Sequence, residues 1–97
     1  PKRNRGLRLT TEKSKELTYA STVDDMLSND WKRRFKAEYD QLSLRLARLY
    51  NTIEFADENQ MEGTLYSQIG VLKIQACVMS TYKRILEERA KLVGLDL

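Results

Sequence analysis

Two stretches of the chain carry apolar residues at steps of three and four, each long enough for a helix of many turns. In residues 65–93 one stripe runs Leu65, Ile69, Leu72, Ala76, Met79, Leu86, Ala90, Val93, and a second runs Val71, Ile74, Val78, Ile85, Leu92. Each set occupies its own face of a 3.6-residue helix. A helix that covers a single core needs one apolar face, so two faces ask for two partners. In residues 30–55 the apolar positions are Trp31, Phe35, Tyr39, Leu42, Leu46, Leu49 and Ile53, at steps of 4, 4, 3, 4, 3 and 4. That is a seven-residue repeat of the coiled-coil kind. At ~1.5 Å per residue both helices come to roughly 40 Å. They can satisfy one face of each other. The second face of 65–93 is therefore expected to meet another copy of the chain or a different protein.

The segments around these helices set the topology. Residues 56–63, ADENQMEG, are polar and end in Gly63, with Thr64 as a candidate helix cap. So short a connection makes the helices antiparallel neighbours. Gly94 suits the left-handed position that stops a helix, with Leu95 free to fold back on the last turn. Upstream, Tyr19 to Leu27 reads as a helix entrance, with Ser21 or Thr22 as cap and Asp24 and Asp25 in the first turn. Ser28, Asn29 and Asp30 compete for helical backbone bonds, which predicts a break there instead of one continuous helix. Residues 1–18 are polar and read as a basic arm, disordered or ordered only by a partner, in which Arg8, Leu9 and Thr10 could form a short strand. The expected fold is all-α. It is a long antiparallel two-helix hairpin with a short N-terminal helix or arm, oligomerising through the spare face. Residues 1–18 are the arm and 19–97 the hairpin domain, with helices at about 29–56 and 64–93.

Composition narrows the chemistry. Histidine is absent and Cys77 is the one cysteine. That argues against a structural zinc site and against Ser-His-Asp or Cys-His catalysis, while a carboxylate metal site stays open. No metal, cofactor or catalytic set is expected. Asp24/Asp25 and Glu87/Glu88 are adjacent in sequence, so on a helix they diverge and make no acid–base pair. No run of 18 apolar residues spans a membrane, and the basic N-terminus lacks the apolar core of a secretory signal. An intracellular setting is expected. Residues 1–20 hold six Lys/Arg against two Glu, or +4, and the other 77 hold eleven against twelve acids, or −1. The basic excess lies in the arm, so a face for long nucleic acid is not expected on the helical body.

Lys32, Arg33, Arg34 and Lys36 lie among Trp31, Phe35 and Tyr39. Phosphate holding or base stacking is one use of such a cluster, but the spacing favours aromatics inward and charges outward. Arg45 and Arg48 share a face three residues apart. In an antiparallel pair Tyr82 and Lys83 fall towards the Trp31–Phe35 end, so Arg33, Arg34, Lys83 and Arg84 are expected to converge as an anion pocket, with Arg8 of the arm closing over it. Against this, Arg84–Glu88 and Glu87–Lys91 have the four-residue spacing of solvated ion pairs. Gly70 and Cys77 are small enough to let a neighbouring helix approach, and Cys77, set among apolar residues, is read as an unreactive thiol.

A resemblance adds to this reading. Arg34, Phe35, Ala37, Glu38, Tyr39, Gln41, Leu42, Arg45 and Leu49, followed by Tyr82, Leu86, Glu87, Arg89, Ala90, Gly94 and Leu97, match a pattern of small phage and prophage proteins. These form a helical-hairpin family related to a crAss-like phage protein. The resemblance covers about two thirds of the chain. It departs from the pattern at Leu95, usually Ile, and in a shorter inter-helix segment, and the arm is not part of it. The family is similar to the hairpin of anti-CBASS and anti-Thoeris sponge proteins. By resemblance, then, the chain is expected to sequester a cyclic oligonucleotide or cyclic ADP-ribose-type ligand without cleaving it. It would do so as a homo-oligomer, dimer to hexamer, in the cytoplasm of an infected bacterial host. The resemblance also points to a Tyr ahead of the long helix and a basic residue within it, for which Tyr19 and Arg34 are the nearest counterparts. The competing expectations are a helical module that inhibits or bridges a host protein, and a small nucleic-acid-binding accessory protein that uses the arm.

Overall fold

Two helices of equal length, laid antiparallel, carry the protein. The computed structural model describes residues 16–59 and 64–97, with side chains for 16–56 and 68–97. A turn of 3-10 helix at Ala20–Thr22 runs into α1, Val23–Met26; α2 spans Trp31–Asn59 and α3 spans Thr64–Leu92. The fold is all-helical and its long pair is the expected hairpin. The helix α2 continues through 56–59, where the connection was expected to begin, and residues 60–63 lie outside the described residues.

The break ahead of α2 falls where the three capping residues stand. Asp30 caps α2, its carboxylate accepting the Lys32 amide at 3.0 Å, while the Ser28 hydroxyl accepts the Asp30 amide at 3.0 Å. Thr22 does not cap α1 with its side chain. It is buried, and its hydroxyl donates to the Tyr19 carbonyl at 2.7 Å and accepts from Gln41 of α2 at 2.8 Å. A buried hydroxyl with both bonds made costs little, and these bonds tie the entrance segment to α2.

The stripes pack as two linked clusters. Phe35 and Leu42 meet Leu86 and Ala90, with Tyr39, Leu95 and Leu97 around them. Leu46 and Ile53 meet Ala76, with Leu49, Ile69 and Leu72 around them. Met79 touches both clusters, as an unbranched side chain in an irregular gap can. The far end of α3 closes as expected. Gly94 takes φ 71°, the Leu95 amide reaches back to the Ala90 carbonyl at 2.8 Å, and Leu95 lies on the core. The ends of both stripes behave differently: Trp31 and Val93 stand half exposed, past the point where the partner helix can cover them. Cys77 is exposed rather than enclosed by apolar neighbours. A Cβ at Gly70 would meet nothing within 4 Å and Cys77 is exposed, so among the described residues the hairpin crowds neither position.

Polar bonds cross the hairpin on both flanks of the core. The Tyr82 hydroxyl donates to Glu38 on one side, and Tyr39 donates to Glu87 at 2.6 Å on the other. The bond to Glu87, burial and the charge of that carboxylate raise the Tyr39 phenol from 10.0 to about 12. The folded state thus holds this proton more tightly than the unfolded state does. The stabilisation is complete below pH 10 and is lost as pH rises towards 12. Tyr39→Phe should therefore flatten the alkaline fall in melting temperature relative to the parent chain. Superimposable alkaline profiles for the two proteins would show that this bond contributes nothing to it.

Candidate ligand-binding cleft

The short entrance helix lies along α2 on the flank that also carries Tyr82, and a cleft opens between α1, α2 and α3. Met26 forms one wall, Arg34, Glu38, Gln41 and Arg45 the floor, and Tyr82 the other wall, around a space of about 250 Å³. Helical spacing accounts for the floor: residues 34, 38, 41 and 45 are steps of four, three and four on one strip of α2. Gln41 is held by Thr22 at 2.8 Å and by the Met26 sulfur at 3.3 Å. The Arg34 guanidinium donates to the Ser28 carbonyl at 2.8 Å, so the broken entrance positions it.

Arg45 also belongs to a second group. Its guanidinium lies 5.3 Å from the centre of the Tyr19 ring, and that of Arg48 lies 4.9 Å from the same ring. Two cations thus share one aromatic ring, and among the described residues no hydrogen bond or ion pair engages either of them with a carboxylate. Three guanidiniums therefore gather on this flank against Glu38, whose carboxylate is already engaged by Tyr82. The assembly can accept negative charge, offer aromatic faces for stacking and present an amide and a carboxylate to polar edges. Among the described residues no group of acids and cysteine is placed to hold a metal ion, and no helix is long and apolar enough to cross a membrane.

The residues expected to converge do not. Arg33 turns to the outer side of α1, where its Nε meets Asp25 at 2.7 Å. The two helices pair about one turn further along than the expected register: Lys83 lies 5.5 Å from the Tyr39 ring centre, on the flank of Glu87. Arg84 stands on the outward side of α3 with Thr81 and Glu88. The expected Glu87–Lys91 pair is replaced by Glu88–Lys91 at 3.2 Å, because Glu87 is taken by Tyr39. Arg8 and the candidate strand around it lie outside the described residues. Of the expected set, the cleft and its rim keep Arg34 and Tyr19. What the sequence reading missed is the joining role of Arg45, with Gln41 and Arg48 beside it. The three-residue spacing of Arg45 and Arg48 was the available signal, but nothing in it says that Tyr19 folds back to that face.

The family model for Sequestin matches residues 29–92, about two thirds of the chain. The chain belongs to the Sequestin family. The name denotes sequestration, the binding and holding of a molecule, and so a binding role more than a catalytic one. No curated protein and no solved structure matches the chain. The Sequestin match takes in the floor of the cleft and Tyr82, and leaves Tyr19 and α1 outside it.

Proposed function

We propose that this Sequestin-family chain is a phage anti-defence sponge: it binds a cyclic nucleotide-type immune second messenger and holds it without cleavage. The observation that carries the reading is the cleft with its three guanidiniums beside Tyr19 and Tyr82. Arg34, Arg45 and Arg48 would take the phosphates, since a planar guanidinium binds phosphate oxygens through paired hydrogen bonds. Tyr19 and Tyr82 would offer rings to the bases, and Gln41 and Glu38 would meet base edges or ribose hydroxyls. A cyclic oligonucleotide or a cyclic ADP-ribose-type molecule combines these groups in a small volume. The protein would act as a homo-oligomer in the cytoplasm of the infected bacterial host, removing the signal by mass action.

The test is a thermal-shift panel of cyclic dinucleotides, cyclic trinucleotides and cyclic ADP-ribose isomers. One class should raise the melting temperature by several degrees, as a ligand well above its Kd does, and be recovered unchanged after denaturation. Recovery of a hydrolysed ligand, or no shift across the panel, would overturn the reading. A second reading, a module that inhibits or bridges a host protein, is favoured by one observation: the exposed apolar face of α3. It predicts no ligand shift and a stable complex with a protein.

A further inference from the structure

Three hydrogen bonds fix which way the Gln41 amide faces. The Thr22 hydroxyl has one proton, and it goes to the Tyr19 carbonyl at 2.7 Å, an atom that can only accept. Towards Gln41, 2.8 Å away, that hydroxyl is therefore the acceptor, and the atom opposite it is the amide nitrogen. The other neighbour, the Met26 sulfur at 3.3 Å, is an acceptor as well. Turning the amide over would set its oxygen against an oxygen and a sulfur with no proton between them. Thr22 is 2% exposed, so water does not stand in for its bonds. Both amide protons are spent on the entrance segment, and the polar atom that Gln41 has left for the cleft is its carbonyl oxygen.

The neighbouring floor residue has the same polarity. The Glu38 carboxylate takes the Tyr82 proton on Oε2, and among the described residues no second hydrogen bond or ion pair engages Glu38 and none reaches the Gln41 carbonyl oxygen. Along α2 the floor thus runs donor, acceptor, acceptor, donor: Arg34, Glu38, Gln41, Arg45. The guanidiniums at the two ends suit anionic groups. The middle pair asks for two hydrogens close together on the ligand. An exocyclic amine carries both, on a flat ring that can lie against the Tyr82 wall. A base with a carbonyl there, such as hypoxanthine, would set oxygen against oxygen, and a site built to accept a hydrogen bond discriminates against a ligand that cannot donate it.

We infer that Thr22 is a positioning residue for the cleft and that, through Gln41, it makes the middle of the floor a site for a base with an exocyclic amine. Thr22 itself touches no ligand; it acts by denying Gln41 the opposite orientation. The inference deepens the sponge reading and rests on it, since it names the base edge that the cleft selects. A ribose hydroxyl can also donate to such a pair, so the test separates sugar from base.

The experiment is titration calorimetry of the full chain with two matched pairs, cyclic di-AMP against cyclic di-IMP and cyclic ADP-ribose against cyclic IDP-ribose, in which a carbonyl replaces the amine. The amine member is expected to bind roughly ten- to hundredfold more tightly, and the 2′-deoxy form of cyclic di-AMP should bind as the ribose form does. In Thr22→Val the ratio within a pair should fall towards one, and Thr22→Ser, which keeps the hydroxyl, should restore it. Gln41→Met, of similar length but with no carbonyl oxygen, should lose the preference too. Without ligand, the Gln41 side-chain amide protons should exchange with solvent several-fold more slowly in the parent and in Thr22→Ser than in Thr22→Val. Equal binding within a pair, a preference that survives Thr22→Val and Gln41→Met, or a loss on removing the 2′-hydroxyl in place of the amine would overturn the inference and leave the sponge reading standing. Equal proton exchange in the parent and Thr22→Val would overturn it with no ligand present. If no member of either pair binds, the sponge reading fails for these ligands and the selectivity fails with it.

Discussion

Cutting Leu86 back to alanine is expected to cost about 3 kcal/mol, within the ~2–5 kcal/mol range for a buried leucine. Leu86 is fully buried and lies in one cluster with Phe35, Leu42 and Ala90. The loss combines the hydrophobic transfer of the removed carbons with the cavity they leave. That cavity cannot collapse easily, because Tyr39 and Lys83, Tyr82 and Glu38 span the helices on either side and fix their spacing. For a domain of this size about 3 kcal/mol lowers the melting temperature by on the order of 15 °C. Ile85→Ala, one residue along on the exposed face of α3, removes as much hydrocarbon. Measured at a concentration where the chain is monomeric, it should cost less than about 0.5 kcal/mol. Thermal melts of the two variants decide it. Similar losses would mean that the Leu86 side of α3 is not the face that meets α2.

Arg45→Ala is expected to weaken binding of whichever panel ligand shifts the parent by roughly ten- to hundredfold, since a hydrogen bond to a charged group contributes ~1.5–3 kcal/mol. Arg45 is singled out because it belongs both to the cleft floor and to the stack on Tyr19, so it alone connects the two groups. Arg84→Ala, on the outward side of α3, should leave affinity within twofold. Isothermal titration of both variants tests the placement of the site independently of its ligand class. Loss of affinity in Arg84→Ala with none in Arg45→Ala would move the site to the outer face and restore the grouping that spacing alone suggested.

The helices were legible because their signals are long and redundant. Seven apolar positions at heptad steps fix the inner face of α2, and one glycine at residue 94 fixes the stop of α3. The break before α2 was legible because Ser28, Asn29 and Asp30 each have a side chain short enough to compete for the local backbone, and Ser28 and Asp30 do so. The site was less legible because it depends on quantities that spacing does not contain. A shift of about one turn between α2 and α3 is enough to send Lys83 to Tyr39 and to leave Arg84 outside. The direction in which residues 19–27 fold back decides that Arg45 and Arg48 meet Tyr19, and it rests on a few contacts, the Thr22–Gln41 bond among them. Periodicity identifies which face of a helix is apolar; it does not say how far one helix slides along another.

The stack of Arg45 and Arg48 on Tyr19 has a kinetic meaning for a site of this kind. The guanidiniums rest against a ring in the ligand-free chain, so an arriving phosphate would meet them already gathered. Each cation–ring contact at an exposed position is worth only about 0.5–1 kcal/mol, less than a charge-assisted bond to phosphate. For the proposed nucleotide ligand the exchange would run downhill, and it would uncover the tyrosine as a base arrives. The same parking screens the ring from stray aromatic molecules that carry no charge. On the proposed reading such a surface would be gated by the ligand's own anion, with no moving loop required.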